Sequence, residues 1–217
     1  FFPFFILEEL KLDLFQILRK KKTVKVESKP QPQGSWIDGG VMVQRMEEEY
    51  EVVDTHVIYD PLAEVKIVRS PRLGAGYHYF VEEVRLDKSE KRSYEKMVSI
   101  LSKEIQPPAD EVVDPKVYIL NEALRVRTRY KRSLGKFMDE SWRKIFYYVI
   151  RDIAGYGPLD TVMADPNIED ISCNGLNNPI YVWHMKYESI PTNLMFVDER
   201  AANDFIVKLA HKGSRHV

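Results

Sequence analysis

The chain has 217 residues, of which 44% are hydrophobic and 30% charged, and its formal net charge is −1. This balance is typical of a globular protein of one or two domains and excludes a wholly disordered chain. A nearly neutral chain has no overall field for nucleic acid or anionic lipid, so an electrostatic partner would have to recognise a local patch. A single cysteine, Cys173, excludes an internal disulfide bond and favours a reducing, cytoplasmic compartment.

Residues 1–27 are expected to form an amphipathic helix with a basic end. Leu7, Leu10 and Leu14 follow helical spacing, and Arg19–Lys22 places four cations in a row. The apolar run is far shorter than the roughly 20 residues of a membrane-spanning helix, and no basic region precedes it as in a signal peptide. Two interpretations stay open, namely packing on its own domain or docking on a partner or membrane surface. Since no methionine begins the sequence, we expect the chain to start inside a longer protein.

Residues 28–44 are predicted to be a linker, because proline, glycine and glutamine interrupt every periodic pattern up to Gly40. Three strands are predicted next, at 51–59, 64–69 and 77–86, where β-branched and aromatic residues alternate with polar ones. Turn residues separate these segments. We therefore expect an antiparallel β meander.

Helical periodicity follows the strands. A first helix is predicted from residue 88 to about residue 106, where two prolines end it. A second helix is predicted from Pro115 to about Leu134, and a third from Asp139, as its N-cap, to Gly155. The three helices predict a small bundle, which joins the meander in a domain spanning residues 45–154.

Four cations of the second helix, Arg125, Arg129, Arg132 and Lys136, recur every three or four residues and are expected on one face. This face has three open interpretations: a solvated surface, a docking surface for an acidic protein or lipid headgroups, or a site for nucleic-acid phosphates. Only Tyr130 is interleaved with the cations, whereas surfaces that bind single strands use several aromatic side chains for stacking. We therefore expect no nucleic acid partner.

Residues 155–217 are predicted to form a small antiparallel, sandwich-like α/β subdomain. Strands are expected at 169–173, 180–186 and 190–196, with a turn at Asn174-Gly175. A closing helix is predicted from a cap at Asp198 to Gly213. The order of strands, helices, strands and a final helix places the chain in the α+β class, with mainly antiparallel pairing.

Motifs of the common catalytic sites are missing from the sequence. No phosphate-binding loop of the form GxxxxGK[ST] occurs, and the five histidines lack the spacing that points two metal ligands from one helix face. The acidic runs at 47–49 and 82–83 are interpreted as solvated faces. We expect no catalytic residue, metal or cofactor within this chain.

The segment Gly155–Glu199 carries a dense signature that begins GYGPLD and continues with DPNIEDI, PIYV, His184 and TN. Its main members are Gly155, Gly157, Pro158, Leu159, Asp165, Ile168, Glu169, Asp170, Asn174, Gly175, Thr192 and Asn193. Through this segment, which spans about a quarter of the chain, the sequence resembles the amino-terminal domain of archaeal type II and type IV secretion ATPases. These proteins form the GspE-like and archaellum-motor family. Glu188 departs from the pattern, since a glycine is expected after Tyr187.

The resemblance implies a function. In that family a carboxyl-terminal domain binds ATP and Mg and hydrolyses the ATP, six subunits form a ring, and the amino-terminal domain transmits force to an integral-membrane platform protein. For this chain it implies a non-catalytic docking and regulatory domain at the inner face of the cell membrane. Its partners would be its own ATPase domain, neighbouring subunits and the platform protein.

The signature residues are expected to be structural, and Arg215 is the candidate to approach nucleotide or a neighbouring subunit. One alternative is a stand-alone protein-interaction module without catalysis. A second alternative is nucleic-acid binding through the basic helix.

Overall fold

The computed structural model of the chain describes residues 35–46, 49–74, 76–106 and 114–213. The helix predicted for residues 1–27, with Leu7, Leu10 and Leu14, and the prediction made for Arg215 lie outside these residues. Contacts divide the chain into two compact units. Among the described residues, unit 1 comprises Arg85–Gly157 and the chain from Val207, and unit 2 comprises the chain up to Val84 and Pro158–Ile206. Segments on both sides of the helical region therefore belong to one unit.

Unit 2 is built on a sheet. Its strands within the described residues are β1 (Trp36–Asp38), β2 (Val41–Val43), β3 (Glu51–Tyr59), β4 (Ala63–Arg69), β5 (His78–Glu83), β6 (Ile168–Cys173), β7 (Pro179–His184) and β8 (Glu188–Phe196).

Strand β8 is the junction of this sheet. It pairs antiparallel with β7, which in turn pairs with β6. Its other side pairs antiparallel with β2 and then, through the single register position Tyr79–Thr192, parallel with β5. Strand β1 continues from β2, while β4 and β3 continue from β5. The sheet is thus mostly antiparallel and branches at β8.

The core of unit 2 follows from alternation along the strands, since successive side chains point to opposite faces of a sheet. Val65 and Ile67 of β4 are fully buried and belong to the same apolar cluster as Val182 of β7 and Leu194 of β8. Phe80 of β5 belongs to a second, smaller cluster. A short helix, α5 (Asp160–Ala164), adds to the larger cluster through Val162 and follows a single 3-10 turn at Gly157–Leu159.

Unit 1 is helical. It contains α1 (Lys88–Glu104), α2 (Pro115–Arg129), α3 (Lys131–Leu134) and α4 (Asp139–Ile153), and the closing helix α6 (Glu199–Lys212) contributes its end from Val207. Helix α1 begins with a capping box, because the Asp87 carboxylate accepts from the Glu90 amide and the Glu90 carboxylate accepts from the Asp87 amide. A buried core to which α1, α2 and α4 each contribute one face includes Leu101, Ile119 and Ile145.

The predicted α+β class with mainly antiparallel pairing is confirmed. The finer arrangement as a meander, a three-helix bundle and a sandwich-like subdomain stays a prediction. Strands β1 and β2 lie in the segment predicted as a linker. Three-residue strands are too short for periodicity to reveal, and the prolines before Gly34 dominate the composition of that segment.

Two helix predictions need correction. The second helix ends at Arg129 rather than Leu134, because Tyr130 leaves the helical conformation with φ −105° and ψ 24°, and a separate turn of helix then buries Leu134. Asp139 is the first residue of α4 rather than its cap, which is Met138. Among the described residues, no helix has the length and apolar character needed to cross a bilayer.

Candidate functional site

The signature residues lie mainly in unit 2, where two of their buried polar members, Asn193 and Asp165, connect separate segments of the fold. Asn193 is 3% exposed and lies where β2 and β5 diverge along β8. Its side-chain nitrogen donates to the carbonyl oxygens of Gln44 (2.9 Å) and Val81 (3.0 Å), and its side-chain oxygen accepts from the Val81 amide at 2.9 Å. The Asn193 side chain therefore supplies the hydrogen bonds that a continuous neighbouring strand would supply.

Asp165 has a comparable role after α5. Its carboxylate accepts from the Tyr79 hydroxyl at 2.7 Å and from both the backbone and side-chain nitrogens of Asn167 at 2.9 Å. Tyr79 is fully buried, and burial together with the adjacent Asp165 carboxylate raises the pKa of its hydroxyl. The Tyr79 hydroxyl therefore remains a donor that fixes this carboxylate.

The remaining signature residues shape turns and the surface. Gly157 and Gly175 have φ of +59° and +89°, a left-handed conformation that glycine adopts without steric cost. Leu159 is buried, whereas Glu169 and Asp170 are exposed on β6. Other members are placed as follows: Gly155 is buried beyond the end of α4, Pro158 and Ile168 are half-buried, Asn174 is exposed in the β6–β7 turn, and Thr192 is buried on β8.

The structure places Glu188, the departure from the family pattern, at the first position of β8 with φ +59°. A side chain other than that of glycine costs roughly 1–2 kcal/mol in this conformation. The site at which the resemblance suggests a glycine is therefore one at which glycine would relieve backbone strain.

A pair of histidines lies beside this hairpin. His184 ends β7 and is 2% exposed, and its ring is stacked at 6.0 Å from that of His56 on β3. The Nε2 atoms of both rings are buried and have no hydrogen-bond partner within the described part of the chain. The Nδ1 atom of His184 accepts a hydrogen bond from the Lys186 amide at 3.0 Å.

Asp54, also on β3, connects the tip of the β7–β8 hairpin to the first half of the sheet. Its Oδ2 accepts from the Lys186 ammonium at 3.1 Å and from the Tyr187 hydroxyl at 2.9 Å. These hydrogen bonds, that of Lys186 first, lower the pKa of Asp54 to about 2, so the carboxylate is charged at neutral pH. We call Asp54, His56, His184, Lys186 and Tyr187 the hairpin cluster.

The chemistry of the hairpin cluster is that of a structural contact rather than a metal centre. A histidine that ligates a metal through Nε2 ordinarily donates from its Nδ1, but Nδ1 of His184 accepts from an amide. Across residues 35–46, 49–74, 76–106 and 114–213, no group of three or more histidine, cysteine or acidic side chains could hold a metal ion. The sequence analysis did not pair His184 with His56, because 127 residues lie between them.

The predicted basic face is divided between three segments of unit 1. Arg125 and Arg129 lie on α2, Arg132 on α3, and Lys136 in the loop after it. Arg125 pairs with Glu122 at 2.6 Å and Arg129 with Glu104 at 3.3 Å. Arg132 and Lys136 are exposed. Two of the four charges are thus already compensated within unit 1, which leaves Arg132 and Lys136 as the better candidates for contact with a partner.

Comparisons with known proteins give two archaeal relatives. The chain is 28% identical over 207 residues to the uncharacterized protein MJ1288 of Methanocaldococcus jannaschii, a match that covers 93% of this chain and 77% of the relative. It is 32% identical over 89 residues to the uncharacterized protein MJ0900 of the same organism, which covers 41% of this chain but 16% of that relative. No protein-family model matches the chain.

Proposed function

We propose that the chain is the amino-terminal docking and regulatory domain of a hexameric archaeal secretion, pilus or archaellum assembly ATPase. In this proposal a carboxyl-terminal domain binds ATP and Mg and hydrolyses the ATP. The present domain couples that reaction to an integral-membrane platform protein, to neighbouring subunits and to its own ATPase domain. The domain itself is not catalytic and works peripherally at the inner face of the membrane.

The observation that carries the proposal is the signature of Gly155–Glu199. Its buried polar members form hydrogen bonds with partners in unit 2; these members are Asp165, Thr192 and Asn193. Residues used in this way maintain an architecture, as expected of a domain that positions others. The proposal extends to the finer arrangement of this architecture: an antiparallel meander, a three-helix bundle and a sandwich-like subdomain with a closing helix.

The match to MJ0900 supports one part of the proposal. Because the matched segment is 16% of that protein, part of this sequence occurs in a relative as one portion of a much longer chain. A docking domain joined to a separate ATPase domain has the same kind of organisation.

For docking, we propose the exposed cations around α3, Arg132 and Lys136. Residues 114–138 contain seven cations and two anions, so this segment is strongly basic in a chain whose net charge is −1. Such a local patch favours an acidic protein surface or lipid headgroups. The internal ion pairs of Arg125 and Arg129 leave fewer charges for nucleic-acid phosphates.

The test compares the 217-residue protein with the protein extended through the downstream reading frame. We expect ATP turnover and a hexameric mass from the extended protein alone. An extension without a phosphate-binding loop would favour a stand-alone interaction module, and turnover by the 217-residue protein would refute a non-catalytic role.

Docking is tested in the extended protein by the double change Arg132→Glu and Lys136→Glu. The control matched in charge is the double change Lys88→Glu and Lys91→Glu, at two exposed positions of α1. We expect only the variant changed at Arg132 and Lys136 to lose co-sedimentation with membranes that contain the platform protein. Equal binding by that variant and the control would refute the docking surface.

A further inference from the structure

The hydrogen bond from the Lys186 amide to the His184 ring determines which protonation state of His184 is compatible with the folded hairpin tip. A backbone amide can only donate, so Nδ1 of His184 must be the unprotonated nitrogen at 3.0 Å. The neutral ring therefore carries its proton on Nε2. A doubly protonated ring would place an Nδ1–H group against the Lys186 N–H group, two donors facing one another.

The surroundings of His184 are unfavourable for a cation. Its ring is 2% exposed, and its Nε2 has no hydrogen-bond partner among the described residues. Burial is the main cause that lowers the pKa of His184, and the nearby His56 and Lys186 lower it further. The carboxylates of Asp165 and Asp54 act in the opposite direction.

The charged and titratable groups around the ring come from every neighbouring segment. Strand β3 contributes Asp54 and His56, the hairpin tip contributes Lys186 and Tyr187, and the loop after α5 contributes Asp165. The Tyr79 hydroxyl and Asn167 already engage Asp165, and Lys186 and Tyr187 engage Asp54. Neither carboxylate is therefore an unengaged counter-ion for a protonated His184.

We propose that the hairpin cluster is a proton-operated latch: when His184 takes up a proton, the hairpin tip, residues 185–187, separates from β3. The neutral ring accepts from the Lys186 amide and keeps the tip folded back, so that the Lys186 and Tyr187 side chains reach Asp54. The protonated ring loses that bond, and it gains hydration only by leaving its buried position. The latch belongs to unit 2 and does not depend on the proposed ATPase function.

The direction of the pH dependence follows from linkage. The open tip exposes a ring with the ordinary histidine pKa of about 6.5, whereas the closed tip lowers that pKa. Closure is therefore fully favoured above about pH 6.5 and weakens as the pH falls toward the lowered value. Because opening takes up one proton, the opening constant increases by at most about tenfold per pH unit in this window.

The experiment measures exchange of the Lys186 amide hydrogen by NMR between pH 7.5 and 5.0, with rates corrected for the intrinsic effect of pH. We expect the protection factor of this amide to fall by up to about tenfold per pH unit below about pH 6.5. The amide of Val81, which donates to Asn193 in the same unit, is the internal control and keeps its protection. Nitrogen chemical shifts of His184 at pH 7.5 report an unprotonated Nδ1 and a protonated Nε2.

A matched variant separates the latch from general acid loosening. In His184→Asn, the side-chain oxygen can still accept from the amide two residues on, but it takes up no proton in this pH range. We expect protection of the Lys186 amide in this variant to be independent of pH from 7.5 to 5.0.

Unchanged protection in the wild-type protein, or an equal loss in His184→Asn, would overturn the latch. If the variant does not fold, the nitrogen chemical shifts of the wild-type protein decide. A protonated Nδ1 at pH 7.5 overturns the proposal, whereas a ring that is protonated only at Nε2 supports it.

Discussion

Removal of the Asn193 side chain tests how the sheet is held together at its branch. In Asn193→Ala, the carbonyl oxygens of Gln44 and Val81 and the amide of Val81 lose their side-chain partner. All three lost bonds lie where β8 passes from β5 to β2, so the change affects both branches of the sheet.

The expected magnitude follows from these three hydrogen bonds. A typical intramolecular hydrogen bond contributes about 1 kcal/mol net, and a buried donor or acceptor left unpaired costs about 1–3 kcal/mol. Val81 is 3% exposed, so water does not readily replace the lost partner. We expect Asn193→Ala to lower the free energy of unfolding by about 3–5 kcal/mol, a large part of the roughly 5–15 kcal/mol of an ordinary domain.

The assay is urea unfolding followed by circular dichroism, with the slope of the unfolding free energy against urea compared between variants. Asn178→Ala is the matched control, because the exposed Asn178 side chain donates to the carbonyl oxygens of Asn174 and Leu176 within its own turn. We expect this control to lose less than about 1 kcal/mol. A loss of under about 1 kcal/mol in Asn193→Ala would refute the assigned role.

Two further predictions concern the hairpin tip. Glu188→Gly is expected to raise the free energy of unfolding by about 1 kcal/mol, since glycine relieves the left-handed backbone at φ +59°; Glu188→Ala, which keeps the strain, is the control, and an equal effect of both changes in urea unfolding would contradict this. With the tip closed, Lys186 and then Tyr187 lower the pKa of Asp54 from 3.8 to about 2. In the His184→Asn protein, whose tip takes up no proton at position 184, the stabilisation from these contacts is therefore complete above about pH 3.8 and is lost as the pH falls toward 2. In that background Asp54→Asn should flatten the fall of the urea midpoint in this window, and a fall as steep as that of His184→Asn alone would contradict the assignment.

Local signals predicted much of the secondary structure. The strand predicted at 51–59 is observed as Glu51–Tyr59, and the helix predicted from residue 88 begins at Lys88. Asp198 was expected to cap the closing helix, and its carboxylate does accept from the Arg200 amide at 2.8 Å. Periodicity and capping act over a few residues, so the sequence contains them directly.

Contacts between residues far apart in the sequence could not be predicted from such local signals. The contact of β5 with β8 joins Tyr79 to Thr192, and nothing local to either residue specifies the other. The same limit concealed the stacking of His56 on His184. The break at Tyr130 was missed for a different reason, since the residues on both sides of it keep helical spacing while the backbone between them turns.

The branch at β8 also has a consequence for the order of events on the ribosome. Strands β1 to β5 emerge early, but β8, which joins the β2 and β5 branches, is translated only after the whole segment 84–187. At about 5–20 residues per second, this delay lasts roughly 5–20 s. The local contacts of helices α1 to α4 form quickly by comparison. During this interval, the nascent chain exposes the unpaired edges of β2 and β5, although helices α1 to α4 have already formed. A chaperone that binds unpaired strand edges would therefore act mainly during this interval.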